Sequence, residues 1–381
     1  MTIMTKKIAL LSVHADPNYG SQLQAFALQK SLSKLGVESE YLQFTTLNGG
    51  YSIKWRIRSL LKKILTKVGL IKLPLHEYSY WESPEFAKQR KLFDLFHKNI
   101  LVSDKIYHRG NVSKSNDEYL KFIVGSDQLW SPAVEPKRRY FYFLDFVCDN
   151  SKKNSYAPSI GTVNLSTDTK ALLKEKLESF SNVSCRERAN ADTLSKLIGR
   201  KVEYVLDPTL LLNNDEWMQL SESIKMPDDY ILCYILGTKK CLSDYAQTLG
   251  RQNNIPVYYI VTRPEYINYP NALRNVSVGQ FLSLISKASC VITDSFHGTM
   301  FSINLGVNFY SFSKRESNNS ILNDNDRLLD ILSVLGLENR YKDDTDLTYE
   351  GDIVYDKTYD ILRNLRESSL MYLKNIVKQN E

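Results

Sequence analysis

Short apolar runs alternate with segments of helical period along this chain. The first unit has an apolar run over residues 8–13, a loop over 16–20 and a helical pattern over 21–35, before a second strand over 38–44. Further strands are predicted over 120–124, 154–157, 182–185, 202–206, 230–236, 256–261, 289–293 and 307–312. Because such alternation is typical of parallel sheets covered by helices, the pattern predicts an α/β fold of two Rossmann-like domains with mainly parallel sheets.

The alternating series restarts near residue 163, which predicts where the first domain ends. Residues 1–163 are expected to form the N-terminal domain and residues 164–355 the C-terminal domain. Apolar residues at helical spacing over 359–377 predict that the remaining segment, 356–381, is a helix that packs back across the domain junction. A chain of 381 residues is long enough for two domains with a core each.

Residues 53–68 form a separate basic segment with apolar residues at helical spacing. The segment carries six lysine and arginine residues and no acidic residue. A basic amphipathic helix of this kind binds anionic lipid surfaces, which predicts peripheral contact with an anionic membrane. The alternative is an ordinary helix whose apolar stripe packs on the domain and whose basic face lies in water.

Composition narrows the class of protein. The chain is 43% hydrophobic and 24% charged, as expected for a folded protein, and its net charge of +6 is mild and evenly spread. This disfavours nucleic acid as a partner and suits a small anionic substrate or an anionic membrane surface better. The five cysteines form no Cys-x-x-Cys pair, so neither disulfides nor a metal site are expected. Without an apolar run of roughly 20 residues or a signal peptide, we expect a cytoplasmic protein, possibly peripheral at the inner face of the membrane.

The segment that follows the predicted strand 289–293 is the strongest candidate for an anion site. It runs directly into a helical pattern and contributes Ser295, Phe296, His297, Gly298 and Thr299. Because the first N–H groups of a helix have no partner within the helix, they attract anions when they lie at the end of a parallel strand. The alternative is that Asp294 or Ser295 only caps the helix and that His297 is structural.

Other predicted strands also end in polar residues, and the carboxyl ends of parallel strands face the ligand-binding crevice of such sheets. These residues are His14, Asn18, Tyr19, Gly20, Ser126, Asp127, Arg186, Arg263 and Arg315. Each has a simpler interpretation: residues 125–127 are typical of a turn, and 186–187 of a surface ion pair. The glycine spacing matches neither the dinucleotide motif nor the phosphate loop, which disfavours nicotinamide and ATP enzymes.

Several motifs in order resemble one family. They are Asn18-Tyr-Gly-Ser-Gln22, Val124-Gly-Ser-Asp-Gln-Leu-Trp130, Tyr156-Ala-Pro-Ser-Ile-Gly161, Ser184-Cys-Arg-Glu-Arg188, Leu206-Asp-Pro-Thr209 and Thr293-Asp-Ser-Phe-His-Gly298. With them the chain resembles the polysaccharide pyruvyl transferase family. The resemblance implies an architecture similar to B-type glycosyltransferases, with the active site in the interdomain cleft. It also implies transfer of a pyruvyl group from phosphoenolpyruvate, as co-substrate and without a further cofactor, to a sugar that becomes a pyruvate ketal.

The resemblance also implies roles for donor-side residues. Arg186 matches the family's donor-binding arginine, and Phe296 and His297 match its Arg-Leu-His-Gly element, but Ser295 stands where characterised members carry arginine. Either Arg315 or Arg263 is expected to supply the missing guanidinium, and Arg315 is favoured because it follows the next strand.

His297 suits donor binding or acid catalysis, since an imidazole titrates near 6.5. On the acceptor side, Asp127 and His14 are the candidate bases. Acceptor binding is expected from Asn18, Tyr19, Gly20 and Ser126.

The sequence therefore predicts a pyruvyltransferase of surface-polysaccharide assembly with a nucleotide- or lipid-linked sugar as acceptor. Two alternatives remain open at this stage. One is a glycosyltransferase that uses a sugar nucleotide, and the other is a non-catalytic glycan-binding protein with the same fold.

Overall fold

The computed structural model of the protein describes residues 7–46, 83–313, 325–343 and 348–378. The predicted basic helix 53–68 and Arg315 lie outside the described residues.

The first sheet has five parallel strands in the order β3-β2-β1-β4-β5. Its strands are β1 (Lys7–Leu11), β2 (Ser39–Phe44), β3 (Val102–Tyr107), β4 (Tyr119–Val124) and β5 (Lys153–Ser155). Its helices are α1 (Tyr19–Lys34), α2 (Ala87–His97) and α3 (Pro136–Tyr142). Four consecutive residues of β1 are buried, as expected for a central strand covered on both faces.

Two short strands pair with each other in a separate two-stranded sheet beside β5. They are β6 (Ser184–Cys185) and β7 (Glu203–Tyr204). Helix α4 (Thr167–Leu177) precedes β6, and helix α5 (Arg188–Ile198) lies between β6 and β7. The backbone N–H of Ser155 donates to the Asn182 carbonyl at 3.1 Å, which joins the two parts. Leu173 and Leu194 are buried in the same core as Leu11 of β1.

The strands of the six-stranded sheet begin after β7, at Ile231, and the domain division at residue 163 stays a prediction. The β-α alternation is the same on both sides of residue 163. An alternating pattern identifies strands, whereas only their pairing shows which sheet they join.

The second sheet has six parallel strands in the order β10-β9-β8-β11-β12-β13. Its strands are β8 (Ile231–Tyr234), β9 (Val257–Ile260), β10 (Ala272–Leu273), β11 (Cys290–Thr293), β12 (Phe309–Phe312) and β13 (Tyr341–Lys342). Its helices are α6 (Asn214–Met218), α7 (Lys240–Asn253), α8 (Val278–Ser286), α9 (Phe296–Asn304) and α10 (Asn325–Leu335). All strand pairings of the three sheets are parallel in the described part of the chain, which confirms the predicted α/β class.

The two domains meet along α1. The Tyr19 ring stacks on Phe281 of α8, with centroids 4.3 Å apart, and its hydroxyl donates to the Val276 carbonyl at 2.8 Å. Gln89 of α2 also donates to the Val276 carbonyl, at 2.7 Å. These contacts place the carboxyl ends of β1 and β11 opposite each other.

The last helix, α11 (Asp356–Lys378), runs from the second domain to the first. Near its start, Thr358 donates to the Leu335 carbonyl, and near its end Tyr372 donates to the Ser155 carbonyl at 2.9 Å. Its buried face includes Leu362 and Leu373. None of the helices in the described ranges is long and apolar enough to cross a membrane.

Candidate active site

The turn from β11 into α9 is tightly built. Ser295 caps the helix, because its hydroxyl accepts a hydrogen bond from the Gly298 N–H at 3.2 Å. Thr293 accepts from the Ser295 N–H at 3.0 Å. A Cβ on Gly298 would lie 2.6 Å from Thr293 Oγ1, so this close turn requires glycine. Ser295 is thus a helix cap, and Thr299 is buried with its hydroxyl beside the Ser295 carbonyl.

His297, the second residue of α9, packs against the first turn of α1. A Cβ on Gly20 would lie 2.1 Å from His297 Nδ1, so only glycine allows this approach of the two domains. Asn18 caps α1 by accepting from the Ser21 N–H at 3.2 Å. Because Tyr19 is buried in the domain contact, these residues form the wall behind His297.

Arg186 lies in the loop after β6 and is 3% exposed. Its Nη1 donates to Asp207 Oδ2 at 2.7 Å and to Ser126 Oγ at 3.1 Å. Its Nε lies 3.5 Å from Glu187 Oε1, and its Cζ lies 4.3 Å from the centroid of the Phe296 ring. Residues from the strand ends of both domains therefore surround one buried guanidinium.

Asp207 joins the arginine to the histidine. Its Oδ2 accepts from Ser126 Oγ at 2.7 Å and lies 3.7 Å from His297 Nε2. Its Oδ1 accepts from the N–H and the hydroxyl of Thr209 at 3.0 and 2.7 Å. Burial alone would raise the pKa of this carboxyl, but the charges of His297 and Arg186 hold its pKa well below the usual range.

Sequence reasoning did not single out Asp207 as a site residue. Its Leu-Asp-Pro-Thr context is typical of a turn, in which aspartate accepts from the backbone two residues later. Oδ1 of Asp207 accepts from the Thr209 N–H in this turn, while Oδ2 accepts from Arg186 Nη1. The signal in the sequence that could have identified Asp207 is the Leu206-Asp-Pro-Thr209 motif, which is among those that resemble the family.

Three buried donors of this cluster have no hydrogen-bond partner among the described residues. They are Arg186 Nε, Arg186 Nη2 and His297 Nε2. A buried donor without a partner costs about 1–3 kcal/mol, and more when it is charged, so native proteins rarely keep one without a role. Arg186 Nε faces Glu187 Oε1 at 3.5 Å, so Arg186 Nη2 and His297 Nε2 are the donors that an anionic ligand would satisfy.

Two of the acceptor-side candidates, Ser126 and Asp127, follow strand β4 and have different surroundings. Ser126 is fully buried and serves the Arg186–Asp207 pair. Asp127 has φ of +90°, an uncommon conformation for a non-glycine residue, and its carboxylate accepts from Ser21 Oγ at 3.3 Å and from the Gln128 N–H at 2.8 Å. Strained residues of this kind cluster at functional sites.

His14 pairs with a second histidine. Its Nδ1 lies 2.9 Å from His97 Nε2, and its ring lies 5.0 Å from that of Tyr41. Burial, and then the nearby His97, lower the pKa of His14 to about 4. His14 is therefore uncharged near neutral pH and is a weak base.

Of the two arginines predicted to supply the missing guanidinium, Arg263 lies in the described residues and Arg315 lies outside them. Arg263 lies beside Glu265, with Nε and Oε2 3.4 Å apart, and donates to the Leu236 carbonyl at 3.3 Å. A further arginine, Arg327 of α10, has its Cζ 5.5 Å from the centroid of the Phe296 ring. The sequence pattern did not predict a helix at α10, and only the fold brings Arg327 to this ring.

The fold and these contacts define a class of protein: a two-domain α/β protein with parallel sheets and a buried cluster of Arg186, Asp207 and His297 where its domains meet. The chain belongs to the polysaccharide pyruvyl transferase family, a family of transferases, and the sequence model of that family matches residues 18–314. Among curated proteins, no sequence matches significantly.

Solved structures are similar to this chain at low sequence identity. A protein from Listeria monocytogenes assigned as a UDP-N-acetylglucosamine 2-epimerase is 9% identical, with a TM-score of 0.50 and coverage of 99% of this chain and 98% of that one. The UDP-GlcNAc 2-epimerase from Neisseria meningitidis, bound to UDP-GlcNAc, is 11% identical, with a TM-score of 0.49 and coverage of 97% and 100%. Arabidopsis thaliana UGT89C1, complexed with UDP-L-rhamnose, is 11% identical, with a TM-score of 0.39 and coverage of 98% and 97%. The first likeness shows the two-domain fold and nothing further.

Proposed function

We propose that this protein transfers a pyruvyl group from phosphoenolpyruvate to a sugar of a surface-polysaccharide precursor, which becomes a pyruvate ketal. The observation that carries the proposal is the pair of buried donors, Arg186 Nη2 and His297 Nε2, that have no partner in the described part of the chain. An anionic donor would supply the acceptors that both groups lack. Membership of the family makes phosphoenolpyruvate the first donor to test.

The chemistry has two additions at the same carbon. A sugar hydroxyl adds to the central carbon of phosphoenolpyruvate while a proton is added to the methylene carbon, which becomes a methyl group. Phosphate then leaves with the electrons of the C–O bond, and a second hydroxyl of the sugar adds to the same carbon and loses its proton. The products are the cyclic ketal and inorganic phosphate.

We assign the proton transfer to His297 and donor binding to Arg186. The imidazole packs against Gly20 on one side, and its Nε2 lies 3.7 Å from Oδ2 of Asp207. On the acceptor side, the assigned base is Asp127, whose left-handed backbone sets its carboxylate at the end of β4. A nucleotide- or lipid-linked sugar is the proposed acceptor.

The test is to incubate the protein with phosphoenolpyruvate and glycan intermediates carried on nucleotide or lipid. We expect phosphate release together with a mass gain on the acceptor equal to pyruvic acid less one water. Release of a nucleotide from a sugar nucleotide would instead indicate a glycosyltransferase. Silence with every donor would indicate a non-catalytic glycan-binding protein.

Single variants test the assignments. His297→Ala should abolish turnover, and Arg251→Ala should leave it unchanged, because Arg251 is exposed on α7 and contacts Thr248 of the same helix. Full activity of the His297 variant would refute the role of this residue.

We also propose that the basic segment 53–68 brings the protein to the inner face of an anionic membrane. The support is its sequence, with basic and apolar residues at helical spacing. The protein should float with anionic liposomes and remain behind with neutral ones, and equal recovery with both would contradict the proposal.

A further inference from the structure

A cavity of about 140 Å³ opens at the amino ends of β8 and β11, whose first residues are Ile231 and Cys290. The proposed donor site lies at the other end of β11, where Thr293 accepts from the Ser295 N–H. Because the two ends of a strand lie at opposite edges of its sheet, this cavity is separate from the donor site. A cavity of about 150 Å³ is large enough for benzene, so this one admits a molecule of similar size.

Arg340 is a buried cation in the wall of this cavity, with an exposure of 5%. Its Nη1 and Nη2 donate to the carbonyls of Glu350 and Gly351 at 3.0 and 2.7 Å, and its Nε has no hydrogen-bond partner among the described residues. The carboxylate of Glu350 lies 3.3 Å from Lys342 Nζ, so it has a basic partner of its own. The buried guanidinium therefore donates to neutral carbonyls, which leave its charge without a paired carboxylate.

Asp352 supplies the opposite charge in the same cavity. Its Oδ1 accepts from Asn308 Nδ2 at 2.6 Å, and within the described ranges it forms no ion pair. Burial raises the pKa of the Cys290 thiol to about 12, and on this thiol the charge of Arg340 acts to lower the pKa and that of Asp352 to raise it. Both charges therefore act on one side of the cavity without being paired to each other.

Aliphatic side chains form another part of the cavity wall. Ile231 of β8 and Leu249 of α7 are buried there, and Ile255 lies in the same wall. Tyr349 and Asp352 are exposed, so the cavity opens to solvent on their side. An aliphatic group that enters the cavity is removed from water, which favours its binding.

The matching ligand carries a carboxylate for Arg340, an ammonium group for Asp352 and a short aliphatic group for the wall. A molecule with only one of the two charges would leave either the guanidinium or the carboxylate without its complement. The size of the cavity restricts the aliphatic group to a few carbon atoms.

We propose that this cavity binds the zwitterion of a small aliphatic α-amino acid, of the size of valine. The ligand's carboxylate accepts from Arg340 Nε, its ammonium group donates to Asp352, and its side chain lies on Ile231 and Leu249. The inference does not depend on the proposed function, since it uses no residue of the donor site.

The test is titration calorimetry of the full chain with L-valine, isovalerate and isobutylamine. Isovalerate is valine without its ammonium group, and isobutylamine is valine without its carboxylate. We expect one molecule of L-valine to bind per chain. Each analogue should bind about 10- to 100-fold more weakly, the range for the loss of a hydrogen bond to a charged group.

Asp352→Asn tests the ammonium contact, because asparagine keeps an oxygen for Asn308 and removes only the charge. It should raise the Kd of L-valine by about 10-fold or more and leave the weak binding of isovalerate unchanged. Asp360→Asn is the matched control and should bind L-valine as the wild type does, since Asp360 is exposed on α11 and does not line the cavity.

Arg340→Met tests the carboxylate contact. It should weaken the binding of L-valine more than that of isobutylamine, which has no carboxylate to lose. Because Arg340 also holds the carbonyls of Glu350 and Gly351, the urea midpoint of the variant is measured alongside, and Asp352→Asn keeps the proposal testable if Arg340→Met unfolds.

Three results would overturn the proposal. One is a wild-type protein that binds none of L-valine, L-alanine and L-leucine. Another is binding of isovalerate or isobutylamine as tightly as L-valine, or an unchanged Kd for L-valine in Asp352→Asn. The third is a loss of L-valine binding in His297→Ala, which would put the amino acid at the donor site; we expect this variant to bind as the wild type does.

Discussion

Replacement of Asp207 by asparagine tests whether the buried ion pair organises the site. The substitution keeps the shape of the side chain but removes its charge. It also replaces one of the two carboxylate oxygens with an NH₂ group, which leaves a single acceptor oxygen. The Thr209 bonds need an acceptor at Oδ1. At the Oδ2 position, Arg186 Nη1 and Ser126 Oγ, each donating at 2.7 Å, would then meet an NH₂ group.

The magnitude follows from this burial. The side chains of Arg186 and Asp207 are each 1% exposed, so solvent screens their interaction little. Breaking a buried pair by removing one partner typically costs 3–5 kcal/mol, because the remaining charge stays buried without compensation. Against a total stability of about 5–15 kcal/mol, this should lower the urea midpoint of unfolding clearly.

The assay is a double-mutant cycle of Asp207→Asn and Arg186→Met, followed by urea unfolding at pH 7. Asp207→Asn should cost much less when Arg186 is already methionine, since no guanidinium is then left without its partner. Ser126→Ala, which removes one hydrogen bond to the same carboxylate, should cost only about 1–3 kcal/mol. Equal costs of Asp207→Asn in both backgrounds would refute the coupling on which the site is built.

Two further predictions concern residues behind the site. Gly20→Ala would place a Cβ 2.1 Å from His297 Nδ1, so turnover should fall although alanine favours the helix by up to about 1 kcal/mol. The control is Gly351→Ala, because a Cβ at Gly351 would have nothing within 4 Å. Unchanged kinetics of Gly20→Ala would contradict the domain contact. Burial lowers the pKa of His14 from 6.5 to about 4, so between these values the unfolded chain binds the additional proton and the folded protein does not. Stability should therefore fall as the pH drops from about 6.5 to 4, by at most about 3 kcal/mol from this residue, and His14→Gln should flatten the dependence of the urea midpoint on pH. An equally steep dependence in the variant would show that His14 titrates normally.

Part of the site was predictable because it depends on the conformation of a short stretch of sequence, where a strand runs into a helix. A strand that ends in Thr293 and runs into a helix places Ser295 and His297 at the edge of a parallel sheet whatever the neighbouring elements are. Arg186 and Asp127 were identified for the same reason, since each follows a short extended segment.

The pairing of distant residues was not predictable in this way. Arg263 and Arg327 both belong to the second domain, and nothing in their local sequence shows that Arg327 reaches Phe296 while Arg263 lies beside Glu265. The position of the segment with β6 and β7 was not predictable either, because it repeats the same alternation and only its hydrogen bonds to residues 153–157 place it beside the first sheet.

By itself, the sequence determined the α/β class, the strand ends and most of the polar residues at them, because these follow from periodicity and from the turn residues of single units. The tertiary structure decided which of these residues meet. It joined Asp207 to Arg186 and His297, set Gly20 against the imidazole, and brought Arg327 to Phe296. Such contacts depend on how the two domains and α10 pack together, and packing is a property of the whole chain.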